Sequence, residues 1–70
     1  METNILEVNN NGLEISLMDG SRWQIDAGDI SKTVCWYPTQ RIKIEKKHDG
    51  NYVLVNLDTA TPDKVRASRF

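Results

Sequence analysis

His48 and Cys35 are the only histidine and the only cysteine in the chain, and they are the first candidates for acid–base or nucleophilic chemistry. Nucleophilic catalysis needs a thiol or hydroxyl beside a base, with a third group to orient that base. His48 precedes Asp49-Gly50, a dipeptide that favours tight hairpins, so it is expected at a solvated hairpin tip. Cys35 adjoins Trp36 and reads as a small buried apolar filler. Nothing in the sequence orients a triad, and 70 residues leave no room for a deep pocket beside a core. The expectation is a non-enzyme without a cofactor.

Metal binding fares no better. Calcium takes six to eight oxygens, and Asp19, Asp26, Asp29 and Asp58 stand in or near expected loops. The spacing Asp26-x-x-Asp29 lacks the alternating ligands and terminal Glu of an EF-hand loop. Turn and capping roles account better for these aspartates. One histidine and one cysteine also fall short of a zinc set.

Binding chemistry is the stronger prospect. The net charge is −1, yet it is unevenly spread. Residues 1–35 hold two basic side chains against six acidic ones, while residues 36–70 hold seven against four. In an extended strand, alternation sets Arg41 and Lys43 on one outward face with Glu45, and Lys46 and Lys47 near its end. Arg66 joins that surface if the last strand lies nearby. Basic faces with aromatic platforms bind single-stranded nucleic acid, and Trp36 or Tyr37 would serve if exposed. The same charges also keep an outer strand face soluble. Trp36-Tyr37-Pro38 suits an aromatic patch for a protein partner, for instance an extended Pro-rich peptide. The alternative for Trp36 is that it closes one end of the fold. A strand shared between two copies is a third route, giving a homodimer. The expected contact residues are therefore Trp36, Tyr37, Arg41, Lys43 and Arg66, with an unidentified protein as leading partner and nucleic acid as the alternative.

These side chains need a scaffold, and the spacing of apolar residues supplies one. Gly12, Gly20, Gly28, Gly50, Pro38 and Pro62 punctuate the chain too often for long helices. A period of two is present instead. Leu13, Ile15 and Leu17 alternate with Glu14, Ser16 and Met18; Trp23 and Ile25 with Arg22 and Gln24; Ile42 and Ile44 with Arg41, Lys43 and Glu45. Further strands are expected at residues 5–8, at 52–57 (apolar on both faces, hence central) and at 65–67. Asn9-Asn10-Asn11-Gly12, Asp19-Gly20-Ser21 and Asp49-Gly50-Asn51 supply the turns. Residues 26–39 form the longest irregular stretch, with room for one helical turn at residues 29–32 capped by Asp29. Residues 59–63 form a second loop. Five or six short strands in one domain, residues 1–70, predict an all-β meander curled into a small antiparallel barrel, SH3-like or related.

The segments Asp19-Gly20-Ser21-Arg22-Trp23-Gln24-Ile25, Trp36-Tyr37-Pro38-Thr39-Gln40-Arg41-Ile42 and Tyr52-Val53-Leu54-Val55-Asn56, with Asp29, carry a further signal. The pattern resembles small uncharacterised bacterial all-β barrel domains with an Asp-Gly-Ser-x-Trp hairpin, a second Trp about a dozen residues on and a Tyr-x-Leu-x-Asn strand. The resemblance covers about residues 13–67. It implies the barrel and a bacterial origin, and brings no activity with it.

No apolar run approaches the roughly 20 residues that span a bilayer. The first residues are polar and acidic, without the basic start and apolar stretch of an export signal. An unpaired cysteine suits a reducing compartment, so a cytoplasmic setting off the membrane is expected. A core this small must bury its large rings, and Trp23 is assigned to it. Trp23→Ala is expected to cost about 3–5 kcal/mol in chemical denaturation.

Overall fold

Where does an alternating ribbon this short put its inner face? The computed structural model describes residues 2–59 and 63–69 and answers with closure. Six strands, β1 (Glu2–Asn9), β2 (Glu14–Leu17), β3 (Arg22–Ile25), β4 (Arg41–Lys46), β5 (Tyr52–Asn56) and β6 (Asp63–Arg69), form an antiparallel barrel. Ala60, Thr61 and Pro62, expected within a loop, lie outside the described residues.

The order around the barrel is β1-β2-β3-β6-β5-β4, which corrects the simple meander. Each half is a three-stranded meander. After β3, residues 26–40 carry the chain across the lower end, so β4 pairs with β1 and β6 with β3. Hairpin signals specify neighbours in sequence; they do not specify which strands close the ring.

The register sends one apolar set inward. Ile15 faces Trp23, Ile25 faces Ala67, Leu54 faces Val65, Ile44 faces Leu54, and Ile5 faces Leu17. Nearly all of these are fully buried and, with Trp36 and Ile42, make one core. Ile5 and Val8 both pack toward it although three residues apart, because β1 carries a bulge between Ile5 and Glu7. The extra residue, Leu6, is left exposed on the surface. On β5 the outward-pointing Val53 and Val55 are only 8% and 5% exposed. Their cross-strand neighbours are Glu45 and Arg66, and Lys43 and Lys64. Long side chains flanking a valine cover it with their aliphatic stems.

The lower end is plugged. Residues 26–39 contain a 3₁₀ turn (Ala27–Asp29) that runs into one α-helical turn, α1 (Ile30–Thr33). Asp26 rather than Asp29 provides the side-chain cap, accepting from the Gly28 N–H at 2.9 Å. Asp29 stands at the α1 N-cap position, but its carboxylate bonds elsewhere. Buried Thr33 donates its hydroxyl to the Gly12 carbonyl at 2.6 Å, fastening α1 to the β1–β2 loop. In that loop Asn10, Asn11 and Gly12 all have positive φ, as the run of Asn and Gly predicts. Trp36 follows, 3% exposed, and its indole N–H donates to Asp63 at 3.3 Å. Trp36 thus closes one end of the barrel.

Gly12 and Gly50 separate two reasons for glycine. Both have positive φ, but a Cβ on Gly12 would stand 2.8 Å from the Val34 nitrogen, whereas on Gly50 it would meet nothing within 4 Å. Gly50→Ala should cost about 1–2 kcal/mol, the left-handed penalty alone. Gly12→Ala adds overpacking against α1 and should cost about 2–5 kcal/mol. Paired urea denaturation curves at fixed pH check the difference.

Candidate functional site

The five expected contact residues separate on folding. Trp36 is buried in the plug and offers no ring face to a ligand. Tyr37, next in sequence, is 61% exposed. Its backbone is held in place, since its N–H donates to Gln40 Oε1 at 3.0 Å. That same oxygen accepts from Asn56 Nδ2 at 2.9 Å, and Asn56 is wholly buried. The ring is therefore displayed from a fixed turn.

Arg41, Lys43 and Arg66 do lie on the outer face of β4, β5 and β6, with β5 between the two basic strands. Each has an acidic partner. The Arg41 guanidinium and its backbone N–H both bond Asp58, at 2.8 Å. Lys43 stands 3.6 Å from Glu45. Arg66 reaches Asp29 at 3.4 Å and Asp26 at 3.6 Å. The face is a mosaic of opposite charges rather than a uniform basic stripe.

The ion pairs at Arg66 belong to a larger arrangement along the lower half of β6, below its pairing with β3. The Arg66 N–H donates to Asp29 Oδ2 at 2.9 Å, and the Lys64 carbonyl accepts from Lys32 Nζ at 3.2 Å. The Arg66 carbonyl accepts from the Asp26 N–H at 2.8 Å. Residues 26–32 thus cover this strand edge with their own polar groups. One backbone N–H and one guanidinium on the Asp29 carboxylate, with the Lys32 ammonium 3.9 Å away, have an electrostatic result. The Arg66 backbone N–H, with its side chain, holds the Asp29 carboxyl below its ordinary value of 3.8. Arg41 does the same for Asp58.

The opposite seam is not covered. β1 pairs with β4 only through residues 2–4, and Ile5 exchanges backbone bonds with Thr39 and Gln40 at 2.9 Å. There the linker turns away: Thr39 has a φ of 76° and Pro38 has no N–H to give. Beyond Ile5 and the bulged Leu6, residues 7–9 pair with β2 on one side. Among the described residues no backbone bond reaches them on the other side. Glu7, Val8, Gly12, Val34, Trp36 and Pro38 line a groove of about 340 Å³ along this edge. Exposed Leu6, Val34 and Tyr37 are apolar, and they lie on the edge strand, in the groove wall and beside Pro38 respectively. Sequence reasoning missed this groove. Its one trace was the odd Ile5-to-Val8 spacing, which signals a bulge.

Cys35 corrects another expectation: it is exposed, not a core filler. It follows α1 on the turn leading to Trp36, where only the tryptophan points inward. His48 is exposed in the β4–β5 turn. The upper end holds a second recess. Asp19, Ser21, Trp23, Ile44, Tyr52 and Arg69 surround about 380 Å³ there. The Trp23 indole N–H donates to Ser21 Oγ at 2.9 Å, and that hydroxyl donates to Asp19 Oδ1 at 2.6 Å.

Asp29 gives a pH dependence with a definite sign. Because its folded-state pKa is depressed, its stabilisation is fully present above the ordinary carboxylate value. It is lost as pH falls from about 3.8 through the lower folded value. Asp29→Asn keeps an acceptor for the Arg66 N–H but has no charge to titrate. Melting temperatures should fall more steeply for wild type than for this variant below pH 4, with wild type the more stable at pH 7. Comparison with protein-family models, curated proteins and solved structures finds no match for this chain.

Proposed function

We propose that this chain is a non-catalytic interaction module that takes an extended segment of a protein partner along residues 6–9 of β1. The observation that carries the reading is the uncovered backbone edge beside an apolar groove, in a barrel whose comparable β6 edge is covered by Asp26, Asp29 and Lys32. An added strand would supply the missing backbone bonds. Val8, Val34 and Pro38 would receive alternate side chains of the segment, and Tyr37 and Leu6 would flank it. Backbone pairing gives such a site affinity, and the groove gives it selectivity. Among the described residues Glu7, in the groove lining, has only an Asn9 side-chain bond, at 3.3 Å, so a basic residue opposite it is favoured. The bacterial origin and cytoplasmic setting expected from the sequence belong to this proposal, as does an SH3-like relationship of the barrel.

Single-stranded nucleic acid has less support. Trp36 is not available for stacking, and Arg41 and Arg66 are held by carboxylates. A homodimer sharing a strand would have to use the same edge at residues 6–9.

Selection from a random peptide display library tests the reading. Wild type should enrich extended peptides with alternating apolar residues, and their binding should slow amide exchange at residues 6–9. Val34→Glu and Tyr37→Ala change exposed side chains, so stability should stay within about 0.5 kcal/mol while peptide binding falls at least about tenfold. Absence of enrichment, or an equal response from both variants and wild type, defeats the proposal. Nuclease-sensitive retention of RNA or DNA at low salt, with no peptide selected, would favour the alternative.

A further inference from the structure

The upper end of the barrel differs from the plugged lower end, and its chemistry points to a small ligand. This end is lined by Trp23 on β3, Ile44 on β4, Tyr52 on β5 and Arg69 on β6, with Lys46 opposite Tyr52 at the end of β4. Trp23 pairs with Arg69 in register, and Tyr52 and Ile25 both face Ala67. The Trp23 and Tyr52 rings meet edge to face, with centroids 4.9 Å apart and planes at 64°. The Arg69 guanidinium carbon stands 5.8 Å from the Trp23 ring centroid. Among the described residues nothing corresponds to α1 and Trp36 over this mouth.

The polar groups here are unequally satisfied. The Trp23 N–H is bonded to Ser21, and Asp19 accepts both the hydroxyl and the backbone N–H of Ser21. These bonds, the hydroxyl first, keep the Asp19 carboxyl below its ordinary value, with a smaller contribution from Arg69. Arg22, Arg41 and Arg66 each form an ion pair, with Glu14, Asp58 and the Asp26–Asp29 pair. Arg69 is the one arginine with no carboxylate within 4 Å among the described residues. A guanidinium over an aromatic floor, with Ile44 and Tyr52 as apolar walls, has a free planar donor fork of the kind that grips a carboxylate. Few polar groups converging on an apolar recess of about 380 Å³ is the usual make-up of a small-molecule site.

We propose that the upper mouth binds a small aromatic monocarboxylate, with its carboxylate on Arg69 and its ring against Ile44 and Tyr52. Asp19 on the rim adds selectivity, since its fixed negative charge opposes a second carboxylate on the ligand. The site lies at the opposite end from the groove along β1 and does not depend on it.

Phenylacetate is the probe, compared with neutral phenylacetamide, cationic phenethylammonium and dianionic phthalate. Each is titrated into isotopically labelled protein at low salt and followed by NMR. Phenylacetate should give saturable shifts at the Trp23 indole, Ser21, Ile44 and Tyr52. It should bind about tenfold more tightly than phenylacetamide, the gain expected of one charge-assisted contact. Arg69→Gln, at an exposed strand end, should keep the wild-type spectrum elsewhere and abolish that preference, and Arg69→Lys should retain part of it. Val34→Glu should leave it unchanged, which separates this site from the peptide groove. The proposal is overturned if no saturable shift appears, if phenylacetamide, phenethylammonium or phthalate matches phenylacetate, or if Arg69→Gln retains the preference.

Discussion

Two short ladders make this molecule a barrel. Three residue pairs join β1 to β4, and three join β3 to β6. Without them the chain would be two three-stranded sheets, each burying one face incompletely and each with two free edges. Backbone N–H and C=O groups left unpaired away from water cost about as much as a lost hydrogen bond each, so edges must be paired, covered or left in solvent. The closing ladders also bring Ile25 beside Ala67, and Thr3 beside Ile42. One continuous core replaces two half-cores.

The strands are too unequal for ladders alone to finish the ring. β6 extends below its pairing with β3, and β1 extends below its pairing with β4. The two surplus edges are treated differently. Along β6, the segment that crosses the lower end lays Asp26, Asp29 and Lys32 over the strand and meets its donors and acceptors with side chains and backbone. Along β1, the corresponding chain turns off at Thr39 and Pro38 and leaves a groove. The same crossing segment thus covers one seam and leaves the other beside an apolar wall. Its position depends on contacts far apart in sequence, such as Thr33 to Gly12 and Trp36 to Asp63.

Charge follows the same logic of local satisfaction. Arg41–Asp58 and Lys43–Glu45 pair within the second half of the chain, and the basic excess after Trp36 meets the acidic excess before it where the crossing segment sits beside β6. Arg66 with Asp26 and Asp29 is the clearest case. These pairs are substantially exposed on the arginine side, so each adds little to stability singly. Their larger effect is on the surface potential, which becomes patterned rather than uniformly positive. Among the described residues Arg69 has no such ion pair: it stands at the mouth, where the neighbouring carboxylate, Asp19, is already engaged by Ser21.

The sequence by itself determined the strands, their inner faces and the tight turns. Alternation at Ile15 and Leu17, at Trp23 and Ile25, and at Ile42 and Ile44 is a local property, and so is the positive φ that Gly20 and Gly50 supply. Trp23 is a core residue, as its size in so small a domain requires. Beyond that, local pattern ran out. Closing β3 on β6 and β1 on β4, burying Trp36 while exposing Cys35, and pairing Arg66 with Asp29 all join residues distant along the chain. Only the tertiary structure decided those, because a strand's alternation defines its faces and leaves its neighbours unspecified. The uncovered edge at residues 6–9 and the mouth at Arg69 are spaces between elements, and a space exists only once the elements around it have been placed.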